Sequence, residues 1–422
     1  MSATTKAADR PVFSPPVPDS LEKLGIPDTL VQDLVLRRVF IERTATLGSL
    51  ARTLKIPTSV VEAVFRQMRH RQLVEVMGMV GNDYSFMLSG AGRQLAQERF
   101  QMMQYAGPCP VPLAQFHAST KAQTAKVSVN REMLRQAMYD LVLTDSLLDQ
   151  LGPAIISQAA LFLYGSTGNG KTSLAERLIR VYDDTVLLPY AVEVDGQIII
   201  YYDPVVHHRV EEDGAEPNHD PRWVRCRRPC IIAGGELVPS MLDLRMDEAS
   251  GIYAAPLQMK ANNGILVIDD FGRQLIPPRD LLNRWIVPLD RHVDYLMLRY
   301  GVKFQIPFDM MVVFATNLDP VSLADEAFLR RIQNKVLVEA ISPGVFDEIL
   351  RRCTLARNIA YDQEMADYLR ELCLRDGRSV LRACYPADVS RVLLSISQYE
   401  GRPPRLTRTD LERAVNLYFA RA

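Results

Sequence analysis

Residues 159–182 read AALFLYGSTGNGKTSLAERLIRVY, and this stretch decides the fold. An apolar run typical of a buried strand leads into a glycine-rich loop, and the spacing of apolar residues after the loop is typical of an amphipathic helix. The loop fits the pattern G-x-x-x-x-G-K-[ST] with Gly165, Gly170, Lys171 and Thr172. The stretch therefore predicts a strand, a phosphate-binding P-loop and a helix within a parallel α/β sheet.

The residue types of this loop suit a bound triphosphate. Glycine lets the backbone curl so that successive N–H groups point at phosphate, and the start of the helix adds partial positive charge. We expect Lys171 to reach the β- and γ-phosphates and Thr172 to offer its hydroxyl to magnesium. ATP and Mg²⁺ are the expected cofactors. The candidate nucleotide-binding residues are Gly165, Ser166, Thr167, Gly168, Asn169, Gly170, Lys171, Thr172 and Ser173.

A second stretch, GILVIDDFG at residues 264–272, supplies two carboxylates. Its continuous apolar run is typical of a buried parallel strand, and the run ends in Asp269 and Asp270. Ligands of open α/β sheets gather at the carboxyl ends of the strands, so these acids should face the P-loop. We expect Asp269 to hold magnesium together with Thr172, and Asp270 to polarise the attacking water.

Together the two stretches resemble the AAA+ superfamily of ATPases. The second acid of that family is usually Glu, and Asp270 is one methylene shorter. The strand MMVVFATNLDP (residues 310–320) is similar to the family's sensor-1 strand and ends in Thr316 and Asn317. The resemblance implies a catalytic role for Asn317 beside the γ-phosphate.

The resemblance also implies arginines that act at the phosphates. LADEAFLRRIQNKV (residues 323–336) looks like the stretch that carries the arginine finger. We favour Arg331, with Arg330 second, because adjacent helical side chains point about 100° apart and one of them faces the neighbouring subunit. A helical lid should follow, with Arg382 as the sensor-2 candidate.

One branch of the family is indicated by a hairpin predicted around Gly301. Such a hairpin before sensor 1 is similar to the branch of MoxR-type chaperone ATPases, magnesium chelatases and bacterial enhancer-binding activators. The resemblance implies a ring of identical subunits, expected to be hexameric. That branch places a client-contacting loop near residues 241–256, where Tyr253 either grips a client in the pore or packs into the core.

The N-terminal segment 19–105 resembles a winged-helix domain. Helical stretches are predicted at 30–41, 47–54 and 58–71, and two extended runs around Gly81 predict a hairpin. The third helix carries the basic side chains Arg66, Arg69, His70 and Arg71, yet the segment has 11 Lys or Arg against 9 Asp or Glu. Both protein docking and nucleic-acid binding therefore stay open, and docking is favoured.

The remaining boundaries follow from composition. Proline-rich, small and polar residues predict a disordered tail at 1–18, and a second proline-rich stretch predicts a linker at 106–119. The AAA+ core is predicted at 120–341, with a β-rich insertion at 187–228, and the helical lid at 342–422. The chain contains no run of about 18 apolar residues, and its start has no signal-peptide core, so we expect a cytoplasmic protein without membrane insertion.

Three functions are compatible with these patterns. The favoured one is an ATP-hydrolysing AAA+ ring subunit that remodels or assembles an unidentified protein partner. The second is a DNA-directed regulator or initiator that uses the winged helix. The third is a nucleotide-gated scaffold with little hydrolysis, suggested by Asp270 in place of Glu. The net charge of −1 offers no overall polycation to nucleic acid.

Overall fold

The N-terminal part of the protein folds around a small antiparallel sheet. The computed structural model describes residues 13–211, 219–323, 326–375 and 378–419. The sheet has strand order β1-β3-β2. Phe65 packs on Phe86 with ring centroids 4.6 Å apart, which fixes the third helix to the hairpin. The elements are α1 (Asp28–Glu42), β1 (Thr44–Thr46), α2 (Leu47–Leu54), α3 (Thr58–His70), β2 (Val74–Val80), β3 (Asp83–Leu88) and α4 (Gly90–Met102).

The stretch predicted as a linker is folded, so that prediction is wrong. It contains strand β4 (Val111–Pro112) and most of helix α5 (Leu113–Ala122), in which Phe116 is buried. β4 runs parallel to the strand Ala191–Val194. Prolines made the stretch look like a linker, but Pro112 lies at the end of a two-residue strand and directly before a helix, where proline is tolerated. The core boundary predicted at residue 120 therefore falls inside α5.

The last part of the predicted tail is also packed. The Phe13 ring lies 5.2 Å from that of Trp223, and the Pro15 carbonyl accepts a hydrogen bond from the Asp220 backbone N–H. Residues 1–12 lie outside the described residues. The prediction of disorder is therefore wrong for residues 13–18, because an aromatic side chain and a backbone carbonyl find partners more than 200 residues away.

A parallel five-stranded sheet forms the centre of the described chain. Its strand order is β10-β13-β16-β5-β17, and every neighbouring pair is parallel, which confirms the predicted α/β class. Its strands are β5 (Leu161–Tyr164), β10 (Cys230–Ala233), β13 (Ile265–Ile268), β16 (Met311–Thr316) and β17 (Asn334–Leu337). The helices of this part are α6 (Arg131–Ala137), α7 (Asp145–Ser157), α8 (Lys171–Arg177), α9 (Leu257–Lys260), α10 (Pro278–Arg291), α11 (Pro320–Leu323) and α12 (Glu326–Leu329).

Both faces of this sheet are covered, as continuous apolar strands require. Alternate side chains point to opposite faces. Phe162 and Phe314 pack with Trp285 of α10 on one face. Leu163 and Val267 pack with residues of α7 and α8 on the other. The core therefore holds the carboxyl ends of β5 and β13 at the same edge of the sheet, with β16 between them.

A second sheet covers the region of the predicted insertion and extends beyond it. Its order is β11-β12-β8-β7-β4, so it also recruits strands from outside residues 187–228. Residues 212–218 of the predicted insertion lie outside the described residues. Besides β4, its strands are β7 (Ala191–Val194), β8 (Gln197–Ile200), β11 (Arg245–Asp247) and β12 (Ile252–Ala254). A separate antiparallel pair is formed by β6 (Thr185–Pro189) and β9 (Trp223–Arg227). A hairpin of β14 (Val293–Met297) and β15 (Lys303–Pro307) packs on the second sheet.

The second sheet is joined to the N-terminal part by buried contacts. Ala191 and Ile198 belong to the same apolar core as α1 to α4. The Arg222 side chain is 1% exposed and forms a buried ion pair with Asp220. Its Nη1 donates hydrogen bonds to the carbonyls of Leu24 and Pro110, at 3.0 and 3.1 Å. A single guanidinium, directly before β9, therefore ties this part of the chain to two earlier segments.

Tyr253 is a core residue, so of the two alternatives core packing holds and the pore-facing position is wrong. It lies in β12, is 2% exposed, and packs in the apolar cluster beneath the β14–β15 hairpin. Its hydroxyl accepts a hydrogen bond from the Arg299 backbone N–H at 3.0 Å. Pairing of β12 with β8 turns the ring inward.

Replacement of Tyr253 by alanine should destabilise the fold by about 3–5 kcal/mol, the range for aromatic residues truncated in a core. Tyr253→Phe, the matched control, keeps the ring and loses one hydrogen bond, so it should cost about 1 kcal/mol. Urea unfolding measures both values. An alanine variant as stable as the wild type would contradict the buried position.

The C-terminal part is helical in the described residues. Its helices are α13 (Pro343–Leu355), α14 (Gln363–Cys373), α15 (Cys384–Tyr399) and α16 (Arg408–Tyr418). They share one apolar core that includes Phe346, Leu369 and Leu393. Short 3-10 helices lie elsewhere at Glu22–Leu24, Leu178–Val181 and Pro239–Met241. None of the helices in the described part of the chain has the length and apolar character needed to span a membrane.

Candidate phosphate-binding site

The loop between β5 and α8 requires glycine at two positions. Gly165 has φ 137°, and a Cβ there would lie 2.3 Å from the Val338 carbonyl oxygen. Gly168 has φ 83°, and a Cβ there would lie 2.6 Å from Cys384 Sγ. Both contacts are too short for any side chain, and both φ values favour glycine. The loop is therefore held between the end of the parallel sheet and the start of α15.

Lys171 is folded back onto this loop. Its side chain is largely buried, and Nζ donates hydrogen bonds to the carbonyls of Gly165 and Ser166, both at 2.9 Å. Burial lowers the pKa of Lys171 from its ordinary value, and the carboxylates of Asp269 and Asp270 oppose that shift. A cation with only carbonyl partners is available to bind an anion in the loop.

Thr172 and Asp269 meet beside Lys171. Thr172 Oγ1 lies 3.0 and 2.9 Å from the two carboxylate oxygens of Asp269. The backbone of Asp269 is fixed on both sides: its N–H donates to Ala233, and its carbonyl accepts from Gln274 Nε2 at 2.7 Å. The contribution of Gln274 was not predicted, because a glutamine six residues after the end of a strand carries no recognisable signal in a single sequence.

Asp270 is presented by an unusual backbone conformation. It is exposed and has φ 48°, in the left-handed region that Asp tolerates better than most residues. The next residue, Phe271, is fully buried, and its N–H donates to the Ala315 carbonyl at 2.8 Å. The buried phenylalanine fixes the turn, and Asp270 lies in this turn with an exposed side chain.

Two polar residues at the end of β16, Thr316 and Asn317, differ in their hydrogen-bond partners. Thr316 is buried, and its Oγ1 donates to the Phe271 carbonyl at 2.7 Å. Asn317 Oδ1 is buried and has no hydrogen-bond partner among the described residues. A buried amide oxygen without a partner is costly unless a ligand or water satisfies it. Thr316 therefore stabilises the turn, and Asn317 is the residue left to contact a ligand.

The start of α15 closes over the P-loop. The Cys384 N–H donates to the Gly168 carbonyl at 2.8 Å, and the Ala383 N–H donates to Asn169 Oδ1 at 3.4 Å. Arg382 also approaches the loop, because its Cδ lies 3.5 Å from the position that a Cβ on Gly168 would occupy. Its Nε is buried and without a hydrogen-bond partner in the part of the chain that the structure describes. The contact of Cys384 with the loop was not predicted, since Cys384 lies 216 positions after Gly168 in the chain.

Arg330 and Arg331 lie away from this site. Arg330 is exposed, whereas Arg331 is partly buried and forms an ion pair with Asp290. Arg331 lines a cavity of about 670 Å³ together with Ala160, Gly264, Met310 and Gln333. Each of these four residues immediately precedes a strand of the parallel sheet, whereas the P-loop follows one. The cavity is therefore at the opposite edge of the sheet, and neither arginine is brought to the P-loop of its own chain.

The residues at the loop fit a nucleoside triphosphate with magnesium. The hydroxyl of Thr172 and the carboxylate of Asp269 are oxygen ligands of the kind that Mg²⁺ prefers. Arg382 Nε and Asn317 Oδ1 are a donor and an acceptor without partners among the described residues. Arg382 approaches Gly168 of the loop, and Asn317 follows Thr316, which pairs with Tyr164 directly before the loop. Ser166 Oγ accepts from Asn169 Nδ2 at 2.9 Å, while Thr167 is exposed at the loop tip and Ser173 follows Thr172 in the helix.

Comparisons with known proteins give limited matches. A domain of unknown function, DUF8689, matches residues 342–417. No curated protein sequence matches the chain. One similar solved structure is the Thermotoga maritima RuvB Holliday junction branch migration motor, with 11% identity over 70% of this chain and 72% of that chain and a TM-score of 0.37. Two variants of T. maritima RuvB have identities of 11% and 10%, each covering 70% of this chain and 73% of the other, with TM-scores of 0.40 and 0.39.

Proposed function

We propose that this chain is an ATP-hydrolysing AAA+ subunit that works in a ring, expected to be hexameric, and remodels or assembles a protein partner. The observation that carries the proposal is the approach of Thr172 Oγ1 to both carboxylate oxygens of Asp269, at 3.0 and 2.9 Å, next to a buried Lys171. Hydroxyl, carboxylate and ammonium groups meet where a parallel sheet binds ligands. This set of groups supports binding of ATP with magnesium.

Each residue has a distinct role in the proposed hydrolysis. Lys171 leaves its two carbonyl partners and pairs with the β- and γ-phosphates. Asp269 and Thr172 hold Mg²⁺, which when bound neutralises charge on the phosphates. Asp270, which is exposed in its turn, positions and polarises the attacking water. Asn317 and Arg382 contact the γ-phosphate from the two sides of the loop.

The positions of Arg330 and Arg331 support the proposal that the chain assembles into a ring. Arg331 is at the opposite edge of the parallel sheet from Lys171, so it cannot reach a nucleotide in its own chain. An arginine in this position acts only on the nucleotide of a neighbouring copy, which makes hydrolysis depend on assembly. Arg330, which is exposed next to it, is the second candidate for the same role.

A protein partner is favoured by the surface of the proposed winged-helix domain. Its β2–β3 hairpin (residues 74–88) exposes three large apolar side chains, Met77, Met79 and Val80, each more than 60% exposed. The hairpin sequence contains no Lys or Arg. Phosphate contacts require basic side chains, whereas exposed apolar patches mark protein contacts. The rival function, DNA-directed regulation, is favoured by Arg66, Arg69, His70 and Arg71, which are all exposed at the end of α3.

A trapping experiment tests this choice in the full-length chain. Asp270→Asn with ATP should retain the partner, because binding persists while hydrolysis stops. Met77→Ser together with Met79→Ser should abolish retention of a nuclease-resistant protein, whereas Arg66→Ala together with Arg69→Ala should leave it unchanged. If the arginine variant instead abolishes retention, and duplex DNA binds with an affinity that falls steeply with salt, the DNA function replaces the proposed one.

A further inference from the structure

Arg331 is held by a carboxylate in the last turn of α10. Arg331 Nε lies 2.7 Å from Asp290 Oδ2. We propose that Asp290 is a positioning residue for Arg331 and holds the guanidinium where it meets the nucleotide of the next subunit in the ring. This inference rests on the proposed function, since it gives Asp290 a part in the reaction that Arg331 is proposed to assist.

The position of Asp290 in its helix favours a functional role. α10 runs from Pro278 to Arg291, and its carboxyl end carries partial negative charge. An aspartate in the last turn is disfavoured by that charge, so Asp290 does not stabilise the helix on its own. The Arg331 guanidinium offsets both the Asp290 carboxylate and the partial negative charge at the end of α10. The ion pair is therefore better explained by the placement of Arg331 than by a contribution to the stability of α10.

The solvent exposure of this ion pair indicates that it orients the Arg331 side chain more than it stabilises the fold. The side chains of Arg331 and Asp290 are 20% and 44% exposed. Ion pairs with this much solvent contact contribute little to folding stability. A hydrogen bond at Nε nevertheless restricts the orientation of the guanidinium plane. Arginine binds phosphate through the N–H groups that lie in that plane. Loss of Asp290 should thus misplace Arg331 without unfolding the protein.

The surroundings of Arg331 suit an anionic partner. Lys121 of α5 and His292 at the end of α10 line the same cavity as Arg331. Lys121 is exposed, and these side chains come from two segments that are 171 residues apart in sequence. Asp309 lines the cavity as well, but its carboxylate accepts hydrogen bonds from Thr124 and Asn263, both at 2.8 Å. The cations Lys121 and Arg331 are therefore the charged groups of this cavity that suit the triphosphate of a second copy.

Kinetics on assembled full-length protein test the role of Asp290. Asp290→Ala should lower kcat for ATP hydrolysis by about 10- to 100-fold, the scale of a misplaced functional group, with the KM for ATP and the melting temperature unchanged. Asp290→Glu should restore much of the loss. Because the two residues act together, adding Asp290→Ala to Arg331→Ala should cause no further loss. A wild-type kcat for Asp290→Ala, or a double variant in which the two losses multiply, overturns the proposal.

Mixed rings separate this inference from the function on which it rests. Asp290→Ala subunits mixed with Lys171→Ala subunits should recover activity, because one type supplies the nucleotide and the other the positioned arginine. Asp290→Ala mixed with Arg331→Ala should recover none. Recovery with Arg331→Ala subunits, or failure with Lys171→Ala subunits, overturns the role of Asp290. If Arg331→Ala alone hydrolyses ATP at the wild-type rate, the proposed function of Arg331 fails instead.

Discussion

Replacement of Lys171 by alanine is expected to abolish ATP binding. The structure places Nζ against the carbonyls of Gly165 and Ser166, so the ammonium is already in the loop and needs only to exchange these partners for phosphate oxygens. Two charge-assisted hydrogen bonds are worth about 3 to 6 kcal/mol, which corresponds to a loss of affinity of about 10² to 10⁴. Titration calorimetry with ATP and magnesium measures this change.

Two controls make the Lys171 result specific. Lys23→Ala removes an exposed lysine of the N-terminal part and should leave ATP affinity unchanged. Asp270→Asn should retain binding and lose turnover, because it removes the group that polarises water but not one that binds phosphate. Equal ATP affinity for Lys171→Ala and the wild type would refute the phosphate site. Equal turnover for Asp270→Asn and the wild type would remove Asp270 from catalysis.

Replacement of Arg331 by alanine should lower the rate of ATP hydrolysis by about 10³-fold or more while ATP binding is retained. The physical reason is that the arginine stabilises charge that develops on the phosphates only in the transition state. Steady-state phosphate release, measured at a protein concentration that permits assembly, gives the rate. Arg330→Ala is the matched control, since it removes an adjacent arginine that is exposed.

Mixing experiments decide whether Arg331 acts between subunits. Arg331→Ala and Lys171→Ala subunits are each inactive alone, and rings that contain both should recover part of the activity. No recovery at any ratio would mean that Arg331 does not act on a neighbour. A large loss in Arg330→Ala, with normal turnover in Arg331→Ala, would transfer the role to Arg330.

Local patterns predicted the central features because their causes are local. The apolar runs before Gly165 and Asp269 predict buried strands, and the residues that follow them carry the chemistry. Both runs are strands of one parallel sheet in the structure. The sheet order could not be predicted, since it depends on which strands pair across more than 100 residues, as β5 does with β16.

Errors arose where distant partners override local composition. Residues 106–119 have the prolines of a linker, but pairing of Val111 with Val192 makes them part of a sheet. Tyr253 follows an acidic, polar stretch typical of a surface loop, but pairing of β12 with β8 buries it. The contact of Cys384 with Gly168 belongs to the same class: nothing near either residue in the sequence predicts the other.

The buried guanidinium of Arg222 has a consequence for the history of this architecture. Arg222 bonds to Leu24 and Pro110, and Ile198 completes the core around α1 to α4. A gene segment that encoded only residues 19–105 would yield a module with an open apolar face and a Leu24 carbonyl without its Arg222 partner. Strands β7 and β8 of the second sheet therefore complete the core of the N-terminal module, although about 85 residues separate that module from β7 in the chain. We expect relatives that keep this module to keep β7 and β8 as well.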